Sequence, residues 1–413
     1  MNKTHIARDS IYRVDGDLTL RLNAEAKEKM LNGEHVINGI IGMLSDEEGH
    51  LVTPDFINDI FLENLNDENK TYTSIFGDKI GLENCFKWVC QNYYSSINKK
   101  LMHEGIFTPG GTGALSLAIR SYVGYKETVL IPSIGWINYE TVCMQAKVNF
   151  DYYEMFNENG SFNIKSLINK AEEYLKKEGR ILIVLNDPCH NPTGYSLSEL
   201  EWKLLIKELN KLEEKNIGQI TLLLDIAYID MSSSIDTRFF FKNCEFLNEN
   251  ILSLIAFSAS KTLGIYGYRA GALFAISNNE NELSDFKIVS KTLARSIWSS
   301  PSHHIGSSLK SVFDENNFNT LKSYLSSISF YCEKRYEKIC ELNKNSKLIF
   351  LPYVSGFFLV LKMKNAKDFC EKLRSKNIYL LPLKDEYVRI ALCSLKLSDL
   401  NELVEAMISV SNF

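Results

Sequence analysis

Proline is scarce, at 8 of 413 residues, and no Pro-, Gly- or Ser-rich stretch interrupts the chain. That excludes a string of beads joined by flexible linkers. No long run of uncharged apolar residues is present, which argues against a membrane-spanning helix. An excess of positive charge is missing too: 46 Lys and Arg face 51 Asp and Glu, a formal charge of -5. Such a surface has no polycationic face for nucleic acid or an anionic membrane. The nine cysteines are odd in number and scattered, at 85, 90, 143, 189, 244, 332, 340, 370 and 393. None forms a C-x-x-C pair and no histidine lies at zinc-finger spacing from a pair, so neither structural zinc nor a disulfide framework is expected. His303-His304 lacks a carboxylate at helical spacing, and no metal site is read there. Free thiols in a reducing compartment fit better. The first residues are charged and carry no apolar h-region, so no secretion signal is read and a cytoplasmic protein is expected.

What is there is apolar chain in quantity. The composition is 45% hydrophobic and 23% charged, ordinary for a globular protein. The length is about two to three usual domains, enough to bury a large core without staples. Short apolar runs at 128–131, 181–185, 220–224 and 251–257 are bounded by polar or turn residues and predict buried parallel strands. Amphipathic stretches at 161–177 and 197–215 predict helices between them. Strand–helix alternation at this spacing predicts an α/β fold with a parallel sheet. From about residue 316 the texture changes. A long amphipathic stretch at 321–343 precedes strand-like pieces at 348–351, 357–361 and 388–392, with a helical stretch ending the chain, as in a smaller α+β unit. The expected division is an N-terminal segment, 1–49, packing with the small unit, a large domain, 50–312, and a small domain, 313–413.

The apolar runs end in unusual polar residues. In an open α/β sheet, ligands gather at the carboxyl ends of the strands. Run 181–185 leads to Asn186 and then His190-Asn191-Pro192-Thr193-Gly194; run 220–224 leads to Asp225 and Tyr228. Run 251–257 leads to Ser258-Ala259-Ser260-Lys261, with Gly264, Gly267, Arg269 and Gly271 beyond. Upstream, Thr108-Pro109-Gly110-Gly111-Thr112-Gly113 opens an amphipathic helix whose free backbone N–H groups form a natural phosphate cradle. Each has a bland reading alone: a turn, a helix cap, a solvated lysine. An amine, a carboxylate, an amide, a phenol, an arginine and a phosphate cradle together, all at strand ends, are not explained as a collection of turns.

With Ser258-Ala259-Ser260-Lys261, Arg269, Gly271, His190-Asn191-Pro192-Thr193-Gly194 and Asp225-Ile226-Ala227-Tyr228 in this order, the chain resembles a class I aminotransferase, dependent on pyridoxal 5'-phosphate (PLP), of the aspartate aminotransferase fold. The resemblance covers nearly the whole chain. It implies fold type I: a large domain with a mostly parallel seven-stranded sheet between helices, plus a smaller α+β domain. It also implies that Lys261 joins the cofactor covalently and, once freed, carries the substrate's α-proton. Asp225 would hold the cofactor's ring nitrogen protonated. Asn191 and Tyr228 would hydrogen-bond its phenolic oxygen, and Trp136 would stack on the ring. Gly110, Gly111, Thr112, Ser258, Ser260 and Arg269 would surround the phosphate, joined by Tyr72 from a partner subunit. Arg389 would take the substrate α-carboxylate in a bidentate fork, with Asn191 beside it. Arg295, from the neighbouring subunit, would grip a distal carboxylate, and Gly42 lies in a segment that closes over the substrate. A homodimer with shared sites follows from Tyr72 and Arg295.

The departures bear on specificity. Gly110 stands where aspartate-type members often have Ser, Asn186 where they have His, and Tyr139 replaces a His; Ile134-Gly135 resemble an insertion before Trp136. The expected activity is transfer of the amino group of an aromatic or dicarboxylic L-amino acid (aspartate, tyrosine, phenylalanine) to a 2-oxo acid such as 2-oxoglutarate. The same cofactor residues would serve a carbon–sulfur β-lyase, which gains little from Arg295. A non-catalytic regulatory protein with the same fold has no evident use for Lys261, Asp225 and Arg389 together. A dinucleotide-binding dehydrogenase is disfavoured because Gly110-Gly111-Thr112-Gly113 misses the G-x-G-x-x-G spacing. The adjacent pair Cys189-His190 would have to converge to act as a nucleophile, and neighbours in a tight turn point apart.

Overall fold

The computed structural model describes residues 18–232 and 234–411; the first 17 residues of the expected N-terminal segment lie outside it. Its centre is a seven-stranded sheet of β1 (Met102–Pro109), β2 (Thr128–Pro132), β3 (Asn149–Tyr153), β4 (Arg180–Asn186), β5 (Gln219–Asp225), β6 (Ile251–Ser258) and β7 (Ala270–Ser277). The spatial order is β1-β7-β6-β5-β4-β2-β3. All neighbours are parallel except at β7, which runs against both β1 and β6. The predicted runs all form strands, each within one residue of its expected bounds. β1, β3 and β7 escaped the apolar-run reading: β3 (NFDYY) carries polar residues at one face, and β1 begins at an exposed edge.

Side-chain alternation across the pleat divides the core. Ile181, Ile183 and Leu185 enter one apolar cluster, and Leu182 and Val184 the other. Helices cover both faces, which is why β4 to β6 read as continuous apolar runs. Helix Glu199–Glu213 starts at a capping box, with Ser198 accepting from the Glu201 N–H and Glu201 returning to the Ser198 N–H. Helix Ile164–Glu178 starts three residues later than the amphipathic stretch, because Asn163 caps it. None of the described helices is long and apolar enough to cross a membrane.

Beyond the long helix Phe318–Asn343, an antiparallel sheet runs in the order Leu381–Leu383, Tyr387–Ala391, Phe358–Lys362, Ile349–Phe350. The chain's early part joins it: Ile37–Asn38 pairs in parallel with Ile378–Tyr379.

Candidate active site

One edge of the central sheet collects the chemistry. β4 and β5 end in register, Asn186 opposite Asp225. β6 ends at Ser258, and the helical turn Ala259–Thr262 carries Lys261 immediately after it. β1 ends at Pro109, from which helix Gly110–Tyr122 departs. Because β7 runs antiparallel, its beginning lies at that same edge, with Ala270 opposite Pro109 and Gly271 opposite Ser258. Arg269, just before β7, is therefore delivered to the N-terminus of helix Gly110–Tyr122. A parallel β7 would have sent it to the far side.

The approach there is close. A Cβ added at Gly110 would lie 2.5 Å from Arg269 Nη2, and Gly110 itself takes φ +72°, a conformation that favours glycine. A Cβ on Gly111 would meet Ser258 at 3.1 Å. Arg269 is held from behind, donating through Nη1 to the Tyr266 carbonyl at 3.0 Å and more weakly to Ser260 Oγ at 3.5 Å. Helix Gly110–Tyr122 has no side-chain cap on its first N–H groups, so the unfilled end of the helix, with Thr112 in its first turn, faces a guanidinium across a glycine. That arrangement suits a phosphate-sized anion.

Asp225 sits buried at the other pole. Its Oδ2 accepts from the Tyr139 hydroxyl at 2.6 Å, and its Oδ1 from the Ala227 N–H at 3.1 Å. Burial pushes the carboxyl pKa up, opposed by those two hydrogen bonds and by the charge of Lys261. A buried carboxylate of raised basicity seeks a proton or a cation. Asn186 is a scaffold: its Nδ2 donates to the Asp225 carbonyl at 2.8 Å and its Oδ1 accepts from the Asn191 N–H at 2.7 Å. Trp136 lies edge-on to Tyr139, with ring centroids 5.5 Å apart.

Between the poles stands Lys261. Its amine is held down to about 8, by burial first, with Arg269 acting in the same direction and Asp225 opposing. Nζ lies 5.2 Å from the centre of the Tyr228 ring. Thr262, the next residue, donates through Oγ1 at 2.8 Å to Asp230, which also accepts from Trp88 Nε1 at 3.1 Å and pairs with Arg238 at 2.5 Å. This buried hub anchors the turn bearing Lys261; it was not anticipated, since nothing in the local pattern around Asp230 or Arg238 distinguishes a buried pair from a solvated one.

Asn191 Nδ2 donates to the Tyr228 hydroxyl at 3.3 Å, and Asn191 Oδ1 accepts from Arg389 Nη1, also at 3.3 Å. Burial raises the Tyr228 phenol, and Arg389 is the largest influence lowering it. Arg389 is buried on the inner strand Tyr387–Ala391, with Nη2 donating to the Ile40 carbonyl at 2.6 Å and the guanidinium 4.4 Å from the Phe358 ring centre. Gly42 runs past that same ring: a Cβ there would come within 2.5 Å of it.

Two expected residues stand apart from this cluster within one chain. Tyr72 is 92% exposed. Arg295 is also exposed, near the end of helix Glu280–Ile297, where it donates to Ser299 Oγ at 2.6 Å. Cys189 and His190 are both buried, and the former bonds Ser355 rather than its neighbour. Burial lifts the Cys189 thiol to about 12 and holds the His190 ring down to about 3, leaving a neutral pair without nucleophilic use.

Comparison with known proteins bears on this geometry. The family model "Aminotransferase class I and II" matches residues 35–407. An aromatic-amino-acid aminotransferase of Pseudomonas aeruginosa is 26% identical over 200 residues, 48% of this chain and 47% of that enzyme. This chain's match thus spans about half the length of that curated relative. Among solved structures, an aminotransferase of Anaerococcus prevotii superposes with a TM-score of 0.93 at 27% identity, covering 100% of both chains. The fold is shared as well with an aromatic-amino-acid aminotransferase of Burkholderia pseudomallei, solved covalently bound to pyridoxal phosphate, at a TM-score of 0.78 and 20% identity over 98% of this chain and 100% of that one.

Proposed function

The chain belongs to the class I and II aminotransferases, and on that premise we propose that it is a PLP-dependent transaminase. It would move the amino group of an aromatic or dicarboxylic L-amino acid to a 2-oxo acid such as 2-oxoglutarate. The observation that carries the reading is a lysine amine lowered to about 8 between a buried carboxylate and a guanidinium-faced helix N-terminus. The donor set fits the cofactor from end to end. Arg269, Ser258, Ser260, Gly110, Gly111 and Thr112 would hold the phosphate, Asp225 the ring nitrogen, and Asn191 with Tyr228 the phenolic oxygen. Trp136 would cover the ring. The missing Cβ at Gly110 supports this, because even a methyl group there would occupy the space before Arg269. When bound, the cofactor supplies an electron sink for the carbon that loses its proton.

The chain's own part is orientation and proton handling. Arg389 binds the α-carboxylate and fixes which face of the α-carbon meets Lys261. Lys261 takes the α-proton onto Nζ in its neutral form and returns it in its charged form. Asp225, kept basic by burial, keeps a proton on the ring nitrogen. The Tyr139 hydroxyl holds that carboxylate in place.

The homodimer is part of the proposal. Tyr72 and Arg295 are exposed and distant in contact from the cluster, which is consistent with service to a partner's site. So are the domain bounds 1–49, 50–312 and 313–413, supported by the pairing of Ile37–Asn38 with Ile378–Tyr379. A cytoplasmic setting is supported by nine unbridged cysteines.

The test is a coupled assay with the PLP-loaded protein, offering aspartate, tyrosine, phenylalanine or cysteine with 2-oxoglutarate. Glutamate formed from an aromatic or dicarboxylic donor is the expected result. Pyruvate and sulfide from cysteine without glutamate would point to the β-lyase, and no product from any donor would refute the proposal. A pH prediction accompanies it. Capture of PLP by the apo-protein needs the neutral amine of Lys261, so its rate should rise about tenfold per pH unit below about 8 and level off above, followed by stopped-flow absorbance. A profile still rising steeply at pH 10 would contradict the lowered amine.

A further inference from the structure

Arg335, seventeen residues into the helix Phe318–Asn343, is 0% exposed, yet it belongs to none of the groups assigned above. A guanidinium out of water is costly unless fully paired. Here Nη1 donates to the carbonyls of Leu392, at 3.1 Å, and Cys393, at 2.9 Å. Nη2 donates to the Ser45 carbonyl and to Glu47 Oε1, each at 2.8 Å. Nε is buried and finds no acceptor among the described residues. Glu47, partly exposed, also accepts from the Leu397 N–H at 2.6 Å through its other oxygen. An incompletely satisfied buried cation is a poor device for stability alone, since an apolar side chain of similar size often does as well. What it does supply is a fixed position for several backbone atoms at once.

Those atoms belong to two stretches of chain. One is the turn that follows the strand bearing Arg389. The other is the segment 39–45, whose Ile40 carbonyl is the acceptor for Arg389 Nη2. Between them the two stretches are laced by the Ala391 N–H on the Gly39 carbonyl, at 2.8 Å, and the Ser45 N–H on the Cys393 carbonyl, at 2.9 Å. Arg335 closes the far end of this lacing and Arg389 sits at the near end.

We propose that Arg335, with Glu47, is a positioning pair for the substrate-carboxylate site: it locks segment 39–45 against the turn after Arg389 and thereby sets the carbonyl that orients the Arg389 fork. The proposal rests on the reading of Arg389 as the carboxylate ligand. Arg335 touches no reacting atom, so its loss acts on binding rather than on the chemical step. All α-amino acids share the carboxylate, so all are affected alike.

The test compares the PLP-loaded wild type with Arg335→Met, Arg335→Lys and Glu47→Ala. In Arg335→Met, KM for aspartate and phenylalanine should rise together by about tenfold, equivalent to about 1.4 kcal/mol, while kcat changes less than about threefold. Calorimetric Kd for 2-oxoglutarate should rise in parallel, a readout that requires no turnover. Arg335→Lys, which keeps the charge but not the fork, should recover part of the loss. Amide hydrogen exchange at Ser45 and Ala391 should accelerate in Arg335→Met, while β5 and β6 keep their protection. Unchanged exchange at Ser45 and Ala391, or unchanged Kd and KM in a variant with only a lower Tm, would overturn the proposal. Should Arg335→Met fail to fold, Glu47→Ala decides the matter, because its side chain lies nearer the surface; a KM rise of several-fold supports the pair and none overturns it. If the wild type transfers no amino group, the functional reading falls, while the exchange and Kd measurements still judge the role of Arg335.

Discussion

Lys261→Ala is expected to abolish transamination and to leave PLP bound without a covalent link. The proton-transfer role alone accounts for a loss of about 10²–10⁴-fold in kcat, and loss of the covalent attachment adds to it. The two effects separate by measurement. After borohydride reduction and denaturation, the wild-type polypeptide should carry the cofactor's mass and the variant should not. Cofactor should still bind the variant reversibly, because Asp225 and the Arg269–Gly110 cradle are untouched. The fold should not suffer. Burial lowers the Lys261 amine to about 8, so at neutral pH the folded protein holds a charged group that its surroundings disfavour. The unfolded chain carries no such penalty, so in the apo-protein removing the amine should leave Tm unchanged or slightly raised. Turnover within tenfold of wild type, or a reduced adduct at another lysine, would sink the assignment.

The legibility of this site in the sequence was uneven, for physical reasons. Asp225, Ser258 and Lys261 declare themselves because each follows a continuous apolar run, and a polar residue at the end of a buried parallel strand has few uses other than a cap or a ligand. Arg269 is legible as one of the polar residues beyond run 251–257, but its phosphate role comes only through the resemblance. Its placement depends on β7 running antiparallel, and strand direction leaves no trace in composition or periodicity. Tyr139 stands out in the sequence as a departure, but its bond to Asp225 joins residues 86 positions apart and belongs to tertiary structure. Arg335 shows the limit most clearly. In an amphipathic helix an arginine among charged neighbours reads as solvated, and only the crossing of segment 39–45 with the turn after Arg389 makes it buried. The fold followed the same division. Inner parallel strands sealed on both faces are visible as apolar runs, whereas β1 and β3 at the sheet's edges mix polar residues into theirs; β7, buried along its whole length, is missed although it is apolar.

Arg389→Leu should produce the second large effect, and its pattern matters more than its size. Truncation removes a guanidinium that donates to Asn191 Oδ1 and the Ile40 carbonyl, and a substrate carboxylate entering the site would lose its charged partner. Losing one member of a buried charge pair costs about 2–5 kcal/mol, so kcat/KM should fall by roughly 30- to 5,000-fold. Aspartate and phenylalanine should lose the same factor, because they share the α-carboxylate and differ only beyond it. Arg389→Lys should fall between, keeping charge without the planar fork. A loss confined to aspartate would move the assignment from the α-carboxylate to a side-chain carboxylate. That would exchange the roles proposed for Arg389 and Arg295, an outcome that the matching variant Arg295→Leu, assayed with the same two substrates, would resolve.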